Sequence, residues 1–274
     1  MKEPWLYPDM VLSQINLLHY GPEAYLEPLN RMQVRRIWIW QTREKVFFPD
    51  PAYFETVKRH IEYFHANGFE VGVWTTSLGF GEELTTEAMR QRTKNMTRLR
   101  SIRGKDCKGD AICPTDEDFC RTYQAWIRAL AALKPDLLML DDEHCLSIRP
   151  GIGCFCDRHM QLLSDALGEE LVLDELPERI FTGGQNRYRD AWYQVMGDTL
   201  REFFGKVRAA ADEVDPDLRI GICGGYTSWD FEGLDLIEMA KILAGKTSPS
   251  SVSPARPIGS RPCATVSTDR SSAP

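Results

Sequence analysis

The sequence predicts an α/β protein of the (β/α)8-barrel type, incomplete, with about five βα units. Three observations carry this. Strand-like and helix-like stretches alternate up to about residue 247, the pattern of a parallel sheet covered by helices with right-handed crossovers. No strand-like stretch is followed by G-x-G-x-x-G or G-x-x-x-x-G-K-[ST], which weakens the rival architecture, a doubly wound nucleotide-binding sheet. Long excursions after the third and fourth strands suit a barrel with elaborated βα-loops.

The first strand, Met10 to Asn16, is weakly marked, and Gly21-Pro22 opens a short helix carrying Tyr25, Leu26 and Leu29. Val34 to Trp40 is β-branched and aromatic throughout its second half, a clear second strand. Asp50-Pro51 supplies an N-cap and a first-turn proline. Phe54, Val57, Ile61 and Phe64 follow at helical spacing, and Gly68 ends that helix. Phe69 to Thr76 is the third strand. After a polar, basic stretch from Glu82 to Asp110, Thr115 with Asp118 reads as a capping box. It opens a helix whose buried stripe is Phe119, Tyr123, Trp126, Ile127 and Leu130, stopped by Lys134-Pro135. Asp136 to Asp141 is a short, fully buried fourth strand. A long helix spans about Asn186 to Val214, Leu218 to Cys223 is the fifth strand, and Leu234 to Leu243 is a helix closed by Gly245.

Residues 1–247 are therefore expected to form one partial barrel, and 248–274 a tail without regular structure. That tail holds 8 Ser and 5 Pro in 27 residues and no aromatic residue. It reads as a flexible segment or as non-native sequence after a loss of coding frame near Lys246-Thr247.

With 12 Phe, 7 Trp and 9 Tyr, the chain is too aromatic to be disordered over most of its length. Its net charge of −7, from 33 basic and 40 acidic residues, with no basic cluster, argues against nucleic acid as a partner. No apolar run approaches the ~20 residues of a membrane helix, and the Met1 to Trp5 stretch has no signal core, so the expected location is cytoplasmic. There the eight cysteines serve as free thiols, metal ligands or catalytic groups rather than a disulfide framework.

Three groups of residues can carry chemistry. Leu140-Asp141-Asp142-Glu143-His144 ends the fourth strand, the end that faces the active site in barrels. Three adjacent carboxylates do not all ionise easily, so at least one pKa should be raised, as a general acid requires. Alternatively one acid caps the next segment, another pairs with Arg149 or Arg158, and the third is solvated. Secondly, Cys154-x-Cys156-x-x-His159 can place two thiolates and an imidazole on one tetrahedral ion. A fourth ligand would come from Cys107, Cys113, Cys120 or Cys145, with Cys113 best placed because Cys113-Pro114 precedes a helix cap. The alternative is a set of buried free thiols. Thirdly, Trp38 and Trp40 share one face of the second strand, Trp74 lies in the third, and Trp229 and Asp230 follow the fifth. Aromatic faces stack on sugar rings, although most tryptophans of this kind fill the core. His19, after the first strand, is a weaker substrate-contact candidate.

Taken together, Cys113-Pro114 before a helix, Asp-Asp-Glu at a strand end and Cys-x-Cys-x-x-His soon after resemble the N-terminal barrel of glycoside hydrolase family 42, the β-galactosidase-type enzymes. The resemblance implies hydrolysis of a glycosidic bond by two carboxylates. It implies Glu143 as the acid/base, Asp142 in place of the family's Asn beside the sugar 2-hydroxyl, and Cys113, Cys154, Cys156 and His159 as ligands of a structural zinc. Asp141, Trp40, Trp74, Trp229 and Asp230 are the substrate-binding candidates, and the partner is an oligosaccharide or glycoside. The family's nucleophile stands on a seventh strand that this chain does not reach, so the chain is expected to be inactive by itself. Asp230 is the sole contender for a second carboxylate. Two other readings are a zinc-stabilised barrel that binds carbohydrate without turnover, and a metal-dependent hydrolase using Asp141, Asp142 and His144. The oligomeric state is open, with a homo-oligomer conceivable for a full-length protein.

Overall fold

In the computed structural model, the described residues are 8–79, 86–102, 111–142, 144–146, 152–224, 232–233, 236–245, 251–254 and 266–267. The chain runs β1 (Asp9–Ser13), α1 (Gln14–Tyr20), α2 (Leu26–Arg31), β2 (Arg36–Trp40), α3 (Glu44–Phe47), α4 (Pro51–Ala66), β3 (Glu70–Thr75), α5 (Glu87–Arg92), α6 (Glu117–Ala132) and β4 (Leu137–Leu140). It continues with α7 (Asp157–Leu167), α8 (Leu176–Phe181), α9 (Arg187–Asp212), β5 (Arg219–Gly224), α10 (Leu236–Ala244), β6 (Ser251–Pro254) and β7 (Val266–Ser267). Strands β1 to β5 are parallel and neighbour one another in sequence order. The sheet is an open arc of the (β/α) barrel kind, since among the described strands β1 does not pair with the far edge.

Side chains alternate across each strand, and the two faces are both covered, as in parallel sheets. Ile37 and Ile39, Val71 and Val73, Leu138 and Leu140, and Ile220 and Ile222 face the helices and join the large core. The concave face carries a second cluster of Trp38, Leu137, Met139 and Cys223, with Trp74 packed against it. Trp38 lies across its neighbour strand: a Cβ on Gly72 would fall 2.3 Å from two of its ring carbons. At the N-terminal rim, Arg36 pairs with Asp9 at 3.5 Å and with Glu70 at 2.7 Å, and Arg219 reaches Glu70 at 2.5 Å.

Local signals explain the boundaries. Ser13 ends β1 three residues earlier than the sequence suggests, because its Oγ accepts the Ile15 N–H at 3.2 Å and starts α1. Helix α6 is capped by Asp116, whose Oδ1 accepts the Phe119 N–H at 2.9 Å, rather than by Thr115. The Thr115 hydroxyl is engaged instead by Cys113 Sγ at 3.0 Å. The expectation of no regular structure after Lys246 is corrected at Ser251–Pro254, which pairs parallel with β5, and at Val266–Ser267, which pairs antiparallel with β6. The reason is that β5 offers an unpaired backbone edge, and edge pairing needs only backbone groups. The long helix, expected over Asn186 to Val214, spans Arg187–Asp212, with Asn186 Oδ1 accepting the Tyr188 and Arg189 N–H groups at 3.0 Å each. It packs on α6 through stacked Phe119 and Phe203 rings. Arg208 ties it to β5 and α10 by donating to Leu218 O at 2.7 Å and Leu243 O at 3.2 Å.

Candidate functional site

The cysteine cluster is assembled from two loops and a helix start. Residues 97–99 and 111–113 run antiparallel, with Cys113 N–H donating to Thr97 O at 2.8 Å and Leu99 N–H to Ala111 O at 2.9 Å. Phe155 N–H donates to Arg100 O at 2.8 Å, which docks the second loop onto the first. Cys156 is the N-cap of α7 and His159 its third helical residue, so the Cys-x-x-His spacing turns both side chains toward the helix N-terminus. The partial positive charge there favours thiolate.

All four donor atoms lie within 4.8 Å of one another, and all four residues are buried. Cys113 Sγ is 3.8 Å from Cys154 Sγ and 3.7 Å from Cys156 Sγ. His159 Nδ1 is 3.4 Å from both Cys113 Sγ and Cys156 Sγ. Tetrahedral bonds of about 2.3 Å to sulfur and about 2.0 Å to nitrogen require edges of about 3.8 Å between sulfurs and about 3.5 Å from sulfur to nitrogen. The four residues are therefore spaced as a metal's coordination tetrahedron. Burial pushes the Cys113 and Cys154 thiols up. Interactions with Cys113 and Cys154 hold the Cys156 thiol well below its ordinary value, favouring thiolate. On the far side of the ring, His159 Nε2 is 3.1 Å from Thr199 Oγ1. Cys120, Cys145 and Cys223 are buried cysteines outside the cluster and in no disulfide, and Cys107 lies outside the described residues.

The carboxylates emerge at the C-terminal end of β4. Asp141 N–H donates to Thr75 O at 2.9 Å, continuing the ladder, and its Oδ1 accepts the Asp142 N–H at 2.9 Å. Burial pushes the Asp141 carboxyl up to about 6, the Asp142 charge adds to this, and the Asp142 amide and Trp74 indole oppose it. The Trp74 Nε1 is nevertheless buried without a hydrogen bond of good geometry. Trp40 and Trp74 are register partners on the same concave face, and Met139 is the next partner along. Trp40, Trp74 and Asp141 are thus brought to one end of one face. Trp38, in contrast, is fully buried core. His144 is buried, with neither ring nitrogen in a hydrogen bond of good geometry among the described residues; burial pushes it down to about 4, opposed by a contact with the Asp141 backbone. Glu143, Trp229, Asp230 and Arg149 lie outside the described residues.

The exit of β3 is rigidly held. Trp126 Nε1 donates to Thr75 Oγ1 at 3.0 Å, and Tyr123 OH to Thr76 O at 2.6 Å. The buried Arg43 guanidinium donates to Ser77 O at 2.8 Å and Leu78 O at 2.9 Å. Sequence reasoning missed Arg43 and Thr199, which carry no motif. It also missed the buried Glu232, two residues beyond the nominated Asp230.

These features define a partial (β/α) barrel with a buried Cys3His cluster able to hold a metal. No family model matches the sequence, and no curated protein matches it. Solved structures do. The β-galactosidase from the psychrophilic Marinomonas ef1 superposes with a TM-score of 0.64 at 10% identity, over 87% of this chain and 40% of that one. The β-galactosidase from Bacillus circulans sp. alkalophilus gives 0.64 at 12% identity, over 95% and 41%. Gan42B, a GH42 β-galactosidase from G. stearothermophilus, gives 0.61 at 16% identity, over 88% and 39%. The chain carries the fold of these enzymes and spans about 40% of their length. Among the described residues, no helix is long and apolar enough to cross a membrane.

Proposed function

We propose that this chain is the acid/base-bearing part of a glycosidase barrel, stabilised by zinc and acting on a glycoside or oligosaccharide. The observation that carries the reading is the grouping of Asp141, Trp40 and Trp74 at the C-terminal end of one concave face in a β-galactosidase-like fold. Barrel enzymes place their chemistry at that end. Glu143 would protonate the leaving oxygen and then activate water. Asp141 and Asp142 would hold sugar hydroxyls, and Trp40 and Trp74 would offer stacking faces. Cys113, Cys154, Cys156 and His159 would hold the zinc. With four protein ligands it is a closed structural site, and its contribution is to fix the loops.

A two-carboxylate mechanism needs a partner ~5–5.5 Å (retaining) or ~6.5–9.5 Å (inverting) from the acid/base. On the concave face β1, β2, β3 and β5 end on Ser13, Trp40, Trp74 and Cys223, none of them acidic, and the acid that follows β4 on that face, Asp141, is two residues from Glu143 in the chain. The reading therefore assigns the nucleophile to a strand outside these five, and Asp230 to a sugar contact. The functional unit is 1–247, with Ser251–Pro254 and Val266–Ser267 adding edge pairing. A reducing compartment such as the cytoplasm keeps the thiol ligands available.

The test is calorimetric binding of galactosides together with turnover of nitrophenyl glycosides. Binding weakened about tenfold by Trp40→Ala or Asp141→Asn, with turnover at background, is the expected result. Absence of binding across mono- and disaccharides sinks the carbohydrate reading, and turnover that survives Glu143→Gln sinks the acid/base assignment.

A further inference from the structure

Glu232 stands between β5 and α10, outside the cysteine cluster. Its side chain is buried, at 3% exposure, and its Oε2 accepts the backbone N–H of Leu146, in the exit loop of β4. The segment that carries Glu232 is itself fixed to α9. A Cβ on Gly197 would fall 2.3 Å from Gly233 O, and one on Gly233 would fall 2.0 Å from Tyr193 O. The backbones are therefore in direct contact. Arg201 Nη2 donates to Gly233 O at 2.8 Å, and its Nε donates to Glu238 at 2.7 Å.

Two stretches that follow β4 are thus tied to the same part of α9. Thr199 on α9 meets His159 in α7. Glu232 reaches Leu146, in the β4 exit loop, from a segment seated on α9 at Tyr193 and Gly197. A neutral oxygen would satisfy an amide N–H, and a buried carboxylate is costly unless hydrogen-bonded. A carboxylate acceptor makes the stronger bond, which suits a loop that begins with Asp141 and Asp142, whose charges repel.

We infer that Glu232 is a positioning residue that fastens the β4 exit loop to α9 through Leu146 and so sets where Asp141 and Asp142 stand. Its bearing on catalysis rests on the glycosidase reading. The test is residue-resolved amide exchange on the full chain, with the Asp141 carboxyl followed by NMR titration. Glu232→Ala should accelerate exchange at Leu146 by about tenfold to a hundredfold, relative to Met139 and Leu140 in β4. It should also move the Asp141 midpoint down from about 6 as the loosened exit admits water. Glu232→Gln keeps an acceptor oxygen and should stay within about threefold of wild type. Acceleration at Leu146 no greater than in β4, an unmoved Asp141 midpoint in Glu232→Ala, or Gln and Ala variants that behave alike would each overturn the inference. Neither readout involves sugar, so a failed glycoside-binding experiment leaves the Glu232 result to stand or fall separately.

Discussion

His159 gives its Nε2 proton to Thr199 Oγ1, 3.1 Å away on α9. The Thr199 hydroxyl is already committed as a donor to Val195 O at 2.9 Å, so its oxygen can only accept. This fixes the imidazole tautomer: Nδ1 is left with its lone pair facing the sulfurs of Cys113 and Cys156. Such outer contacts orient a ligand and raise its basicity.

Thr199→Val removes the acceptor while keeping the side-chain shape. Zinc affinity should fall about tenfold to a hundredfold, measured by competition with a chromophoric chelator. Unchanged affinity would show that the ring is oriented by packing alone.

Chelation should lower the unfolding midpoint, because a ligand that binds only the folded state stabilises it by about 2.7 kcal/mol at a hundredfold excess over Kd. Cys113→Ser should abolish that dependence on chelator, since Cys113 touches all three other donors of the cluster. The measurement is thermal unfolding with and without chelator. A midpoint indifferent to chelator in the wild type would mean the cluster holds no metal.

Two glycines should respond oppositely to alanine. At Gly72 the new methyl would meet Trp38 at 2.3 Å, and overpacking of this kind costs about 1–3 kcal/mol. At Gly205, inside α9, nothing lies within 4 Å, and the better helix propensity should add up to about 1 kcal/mol. Urea midpoints compare them. Equal midpoints for the two variants would remove Trp38 as the reason for Gly72.

Asp141 and His144 should give opposing pH dependences. The Asp141 carboxyl sits at about 6, above its ordinary 3.8, so the folded state binds more protons in that window. Its stabilising contribution is present at low pH and lost as pH rises through about 6. His144 sits at about 4, below 6.5, so its contribution is present above pH 6.5 and lost as pH falls toward 4. Each is worth on the order of 3 kcal/mol, and in the wild type they largely cancel. Asp141→Asn should therefore make stability fall on acidification from pH 7 to 4.5, and His144→Leu should make it rise. Parallel stability profiles for all three proteins would refute both burials.

The helix-facing and concave strand residues were legible because alternation and β-branching mark them locally: Ile37, Trp38, Ile39 and Trp40 show period two without any knowledge of partners. The Cys3His cluster was legible because Cys154, Cys156 and His159 lie within one turn and its entry, and Cys113-Pro114 marks a fixed loop. Thr199, Arg43 and Glu232 were not legible. Each acts on a residue 33 or more positions away, and no local pattern encodes a distance of that kind. The pairing of Ser251–Pro254 with β5 was hidden for a related reason, since a Ser- and Pro-rich composition records side chains while the sheet edge recruits backbone.

Glu70 collects its two cations at very different moments of synthesis. Arg36 precedes it on the chain, whereas Arg219 follows 149 residues later. At roughly 5–20 residues per second on the ribosome, that interval is roughly 7 to 30 s. Through that time the rim of the growing sheet carries an acid with half of its final neutralisation, and β4 has no fifth strand beside it. A nascent chain halted between β4 and β5 presents a solvated charge beside an unpaired strand edge, the state in which a chaperone would have most to hold.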